Sequence, residues 1–191
     1  MVYLMFGLIY LLSACTRDPV VDNWRVANRS DLGVSFSYPP SWLVVENDTH
    51  LVRVIHLPDM GSVQITEEPL RFLSLEAYRD EAEFIYQKTR GTYAWPTQYD
   101  ADYTLVSFAG SPAFRSRLWM SRPSPPCGHG KPYLTSESLH LIHRSHLVSV
   151  QTMYPTGPLT GSCDSQSDTT IRQSRETINS IIDSIQLSGT Q

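Results

Sequence analysis

The chain predicts an α+β domain in which helices cover the faces of an antiparallel sheet. Two observations carry that expectation. Short segments of alternating apolar and polar residues, separated by Pro, Gly, Asn and Asp, recur through most of the sequence, and two longer segments repeat apolar residues at three- and four-residue spacing. The resulting order is a run of strands, one helix, more strands and one terminal helix.

Taken in order, the chain opens on an apolar run, Val2 to Leu12, too short for the roughly 20 residues of a membrane-spanning helix and the right size for the core of an export signal. It ends in Leu12-Ser13-Ala14-Cys15, which resembles a bacterial lipobox. The expectation is a lipoprotein signal peptide over residues 1–14, a lipidated Cys15, a polar tether over residues 15–23 and a single domain over residues 24–187. No Lys or Arg precedes the apolar run, a departure from the usual charged start. Thr16 stands where an inner-membrane retention signal would be Asp, so the resemblance implies the outer membrane, with the domain facing the periplasm. Acyl chains contribute about 0.8 kcal/mol per buried CH₂, so several of them would hold such a protein firmly.

Strands are expected at Trp24 to Ser30 and at Leu32 to Tyr38, with Val34 and Phe36 on one face. Pro39-Pro40 interrupts the pattern because proline lacks the ladder donor, and Trp42 to Val45 resumes it. Turns at Asn47-Asp48 and at Asp59 to Gly61 lead into Leu51 to Leu57 and Ser62 to Thr66, the remainder of a meander. Ser74 can cap a helix whose Leu75, Tyr78, Ala82 and Ile85 make one apolar face, with Glu76 near its positive end and Gly91 as its stop. After an aromatic loop over Thr92 to Asp102 come strands at Tyr103 to Phe108 and Ala113 to Ser121, turning at Ala109 to Pro112. A proline-rich loop carrying Cys127 precedes a hairpin, Tyr133 to Ile142 and Leu147 to Tyr154, around His143-Arg144-Ser145-His146. Finally Asp168 is expected to cap a helix with Ile171, Ile178, Ile181, Ile182 and Ile185 facing the core.

The formal charge of -4, with no Lys or Arg cluster, makes a poor nucleic-acid binder. Three cysteines become the lipidated Cys15 and a pair, Cys127 and Cys163, which an oxidising compartment favours as a disulfide. No Gly-x-Ser-x-Gly elbow, phosphate loop or dinucleotide fingerprint occurs.

His140, His143 and His146 are the best metal candidates by residue type, but strand alternation sets His140 and His143 on opposite faces, and no metal site is expected. Glu67 and Glu68, adjacent on a strand, face opposite sides, which leaves one solvated and one at an edge. Trp95 and Tyr99 in the aromatic loop, with Arg115, Arg117 and Trp119 on one strand face, have the composition of a partner-binding surface. The bland alternatives are that the loop aromatics cover the core and that the strand face packs beneath the first helix, the arginines snorkelling to water.

Val34-Ser-Phe-Ser-Tyr-Pro-Pro-Ser-Trp42 resembles the opening of PsbP-like domains, Gly110-Ser-Pro-Ala-Phe-Arg115 their middle hairpin, and Leu147-Val-Ser-Val-Gln151 with the helix to Ser184-Ile185 their ending. Extrinsic photosystem proteins, a Ran-binding protein, secretion chaperones and many bacterial lipoproteins share that fold. The resemblance implies an antiparallel sheet sandwiched by helices that binds other proteins without catalysis or cofactor. The loops carrying Cys127 and Cys163 are additions to the pattern. The expected function is a lipid-anchored periplasmic protein-binding module whose partner is another envelope protein. Its rivals are an immunity protein neutralising a secreted toxin and a metal-dependent hydrolase using the His140, His143 and His146 region.

Two covalent features are open to one measurement. In mass spectra of protein exported from cells and alkylated without reduction, Cys15 should carry acyl chains and Cys127 and Cys163 should resist the alkylating agent. Cys15→Ser should stay uncut. A Cys15→Ser protein processed and membrane-bound like the parent would refute the anchor, and two freely modified thiols would refute the bridge.

Overall fold

The computed structural model describes residues 23–89, 98–121, 133–155 and 165–188. Its elements are β1 (Arg25–Arg29), β2 (Val34–Tyr38), β3 (Leu43–Asn47), β4 (Leu51–His56), β5 (Gly61–Pro69), α1 (Leu75–Thr89), β6 (Gln98–Phe108), β7 (Ser111–Ser121), β8 (Tyr133–His143), β9 (His146–Met153), α2 (Ser165–Asp183) and β10 (Gln186–Leu187). The fold is α+β and its sheets are antiparallel. A seven-stranded sheet runs β3-β4-β5-β9-β8-β7-β6, and a three-stranded sheet runs β1-β2-β10.

The single meander expected from the sequence is thus divided between two sheets. Pro39 and Pro40 do more than interrupt a strand: Trp42 N donates to Pro39 O at 3.0 Å, closing a turn that carries the chain from β2 in the small sheet to β3 in the large one. Three boundaries also move. β6 begins at Gln98, because its ladder with β7 runs from Phe108 opposite Ser111 to Gln98 opposite Ser121 and overrides the poor strand propensity of Asp100 and Asp102. The turn between these strands is only Ala109 and Gly110, at φ 48° and 79°, so Ser111 and Pro112 already belong to β7. Helix α2 starts at Ser165, which places Asp168 inside it instead of at its cap. Short β10 gave no readable pattern.

One face of the large sheet carries Val52, Val54, Val63, Ile65, Leu139, Leu141, Val148 and Val150, all buried. They pack in a single cluster with Leu32, Val34 and Phe36 of the small sheet and with Ile178, Ile181, Ile182 and Ile185 at the end of the chain. Fully burying an isoleucine is worth about 1.5–3 kcal/mol, so this stripe is a principal source of stability. On the reverse face Phe114 and Leu147 meet Tyr78 of α1, with Leu75 and Ala82 packed around them. Ser74 caps this helix as expected, its Oγ accepting from Ala77 N at 3.2 Å. The apolar line then departs from expectation: Ile85 is 50% exposed. Tyr86 takes its place, with its ring 6.2 Å from that of Tyr103 on β6, continuing the three- and four-residue steps from Leu75 through Tyr78 and Ala82.

Two arginines fasten the sheets together at one end. Arg29 Nη1 donates to Asn47 Oδ1 and Leu51 O, both at 3.0 Å, and Nη2 to Asp48 O, so β1 grips the turn between β3 and β4. The same guanidinium holds the Asp31 carboxyl down at about 2 through its hydrogen bonds. Arg144, at the tip of the β8–β9 hairpin, donates to Ser30 O at 3.2 Å and Ser188 O at 3.0 Å. That tip is a two-residue turn with Arg144 and Ser145 at φ 48° and 64°, the left-handed pair whose twist suits a hairpin. Gly33 lies against it at φ 65°, and an added Cβ would stand 2.6 Å from His143 Nε2 and 2.8 Å from Arg144 Cζ. Only glycine meets both demands.

The packing sets an expected contrast between helix positions. Ile181→Ala should cost about 2–5 kcal/mol, whereas Ile85→Ala should fall within about 0.5 kcal/mol of the parent. Urea unfolding midpoints at unchanged slope would measure both, and equal losses would contradict the packing described.

Candidate functional site

Strand β7 sets Arg115, Arg117 and Trp119 in one row, all partly buried. Across β6 they stand opposite Thr104, Asp102 and Asp100, and across β8 opposite Leu139, Glu137 and Leu134. Arg117 Nε donates to Glu137 Oε2 at 2.8 Å, with 29% and 13% of the two side chains exposed. This charge-assisted bond fixes the guanidinium on the sheet. Arg115 Nε and Thr104 Oγ1, cross-strand neighbours, are both buried without a hydrogen-bond partner among the described residues.

The row shares its face with the core residues Leu139 and Val150, whereas α1 packs on Phe114 across the sheet. The first helix therefore does not lie over these arginines, which removes the alternative that placed them beneath it. The reason is alternation: Phe114 and Arg115 are neighbours in β7 and must face opposite ways. Tyr99 pairs with Met120, one residue out of step with the row that faces Trp119 and Arg117. Trp95 lies outside the described residues, as do Cys15, Cys127 and Cys163.

The three histidines do not converge. His140 lies on the α1 face, its ring stacked on Phe114 at 4.4 Å and 17°, and its Nδ1 shares a 2.7 Å hydrogen bond with Ser149 Oγ. Burial lowers its pKa to about 4. A serine within reach of a neutral imidazole is half of a nucleophilic pair, but Ser149 is only 3% exposed and no carboxylate is hydrogen-bonded to the ring among the described residues. The pair satisfies two buried polar groups. His143, buried on the opposite face, has its pKa lowered first by burial and then by Arg144. His146 Nδ1 donates to Arg144 O at 3.0 Å.

Glu67 shows a grouping that sequence reasoning missed. Its side chain is 13% exposed and its two oxygens face His146 Nδ1 at 3.5 Å and His50 Nδ1 at 3.8 Å. Glu68, by contrast, is exposed. His50 belongs to the β3–β4 turn and His146 to β9, so only the pairing of β5 between β4 and β9 brings them together. Among the described residues no group of three or more His, Cys, Asp or Glu side chains is placed to hold a metal ion. No helix among them is long and apolar enough to cross a membrane. Compared with known protein families the chain matches none, and no curated protein matches its sequence.

The buried histidine makes stability depend on pH. His140 has a folded pKa near 4 against the usual 6.5, so between these values the unfolded chain binds the extra proton. Its contribution is complete above pH 6.5 and disappears as pH falls towards 4, on the order of 3 kcal/mol in all. His143, shifted in the same direction, adds to the trend. Unfolding free energy measured from pH 7 to pH 4 should fall in the parent and fall less in His140→Gln. Equal slopes in the two proteins would contradict the assignment.

Proposed function

We propose that this chain is a lipid-anchored protein of the bacterial cell envelope, carrying a PsbP-like domain that binds another envelope protein without chemistry of its own. The observation that carries the reading is the row of Arg115, Arg117 and Trp119 on a single strand, with Arg117 held in place by Glu137. Arginine and tryptophan are enriched among the residues that dominate protein interfaces, and a guanidinium fixed before binding loses less freedom on contact.

The architecture supports the PsbP-like assignment in two places. The strand ending in Tyr38-Pro39 leads through a turn to buried Trp42. Tyr78 of α1 and Ile181 of α2 pack into clusters on opposite faces of the large sheet, which is what a sheet between helices requires. The lipobox at Leu12 to Cys15 supports anchoring, and Thr16 supports the outer membrane. A Cys127–Cys163 bridge gains support from the hairpin: Tyr154 N donates to Thr135 O at 2.9 Å, so the start of β8 and the end of β9 lie side by side. A loop of that length would stabilise the fold by roughly 3–4 kcal/mol on the chain-entropy account.

The test uses the anchored protein in intact envelopes, cross-linked and purified to identify what it holds. Arg117→Ala and Trp119→Ala should keep the fold, judged by unfolding midpoint, and weaken binding of the identified partner by about 2 kcal/mol or more each. Unchanged affinity in both variants would exclude this row, and the absence of any cross-linked protein would overturn the binding reading itself.

A further inference from the structure

The edge of the large sheet farthest from the arginine row differs from every other strand in that sheet. In β3 all five residues are exposed. Leu43, Val44 and Val45 stand at 45%, 42% and 49%, three consecutive apolar side chains presenting to both faces. The strand pairs with β4 alone, and among the described residues no strand pairs with its outer side. Among the described residues the outer row of backbone donors and acceptors is left unpaired, between exposed apolar side chains.

Natural sheets blunt such edges with lysine, proline, inward charge or a covering element. β3 contains no lysine or proline and one charged residue, Glu46. A register shift between Val44 and Glu46 against β4 bulges the strand at Val45, the one blunting device it has. The opposite edge, β6, is protected more fully: it bears Asp102, and Tyr86 of α1 lies against its Tyr103.

We propose that β3 is a strand-addition site that accepts an extended apolar segment, bearing a basic residue, from another protein. The backbone edge requires a partner in β conformation, and the exposed Leu43, Val44 and Val45 require apolar side chains on it. Charge then selects the basic residue. Asp31, Glu46 and Asp48 gather at the end of the strand against two cations, Arg29, paired with Asp31 at 2.7 Å, and Arg53, 4.0 Å from Glu46, which leaves one carboxylate in excess. A second copy of the chain fits less well. It would bring the same carboxylates and the same net charge of -4 to the junction.

The inference rests on the protein-binding reading but uses a different edge, so the two can fail separately. The probe is a blocked hexapeptide, Lys-Thr-Val-Val-Ile-Thr, titrated into the full isotope-labelled chain and followed by amide shifts and amide exchange. Saturable shifts confined to β3 and β4, with slowed exchange on alternate β3 amides, are expected. Replacing the first peptide valine by proline, or its lysine by glutamate, should weaken binding about tenfold, the first because the ladder donor is lost. Val45→Lys in the protein should weaken the lysine peptide to a similar degree while leaving binding of the envelope partner through Arg117 and Trp119 unchanged. If Val45→Lys alters the unfolding midpoint, the proline peptide alone decides. The proposal is overturned if the proline peptide binds as well as its parent, if the shifts fall elsewhere, or if the chain self-associates through β3 as its concentration rises.

Discussion

The molecule depends on one apolar layer, where Val34 and Phe36 of the small sheet and Ile178 and Ile181 of the last helix meet Val54, Ile65, Leu141 and Val150 of the large sheet. Each contributing element is marginal alone. A two-stranded hairpin is barely stable in water, and a helix rich in Ser and Thr has little propensity of its own. Burial of the shared layer holds them together, and the hydrogen bonds at its rim, Ser184 Oγ from Ser37 N at 2.9 Å among them, fix the angle at which they meet. The arginine clamps act at that rim and take their geometry from it.

The strands of the central hairpins were legible in the sequence because alternation and turn residues agree there. β8 and β9 turn at Arg144 and Ser145 where expected, and the isoleucines near the chain's end are buried as their spacing requires. What could not be read was pairing between distant segments. Nothing local in Trp42 to Val45 shows that β3 leaves β2 for another sheet, and a two-residue strand such as β10 has no periodicity to detect. Helix α1 shows a subtler limit: Ile85 and Tyr86 both continue its apolar line, yet Tyr86 is the one that meets Tyr103 of β6 while Ile85 stays exposed, so the partner across the interface decides between them.

The candidate site divides in the same way. Alternation along β7 put Arg115, Arg117 and Trp119 together, and alternation along β8 separated His140 from His143, both within reach of sequence reasoning. The Glu67 grouping lay beyond it, because His50 and His146 are joined to that carboxylate only through the ladder. Which helix covers which face was equally hidden, since an amphipathic pattern states that a face is buried but not against what. Tyr99 shows the cost of reading a loop where a ladder continues: once β6 extends to Gln98, its register decides the residue's place.

The small sheet joins segments far apart in sequence. β2 is flanked by β1 on one side and by β10 on the other, Leu187 lying opposite Val34, so the hairpin of β1 and β2 is completed by a strand that follows α2. The core layer needs α2 as well, which is synthesised just before β10. Contacts this distant in sequence slow folding. Until α2 and β10 are made, Val34 and Phe36 lack part of the layer that buries them, and the strands that carry them stay open to mispairing.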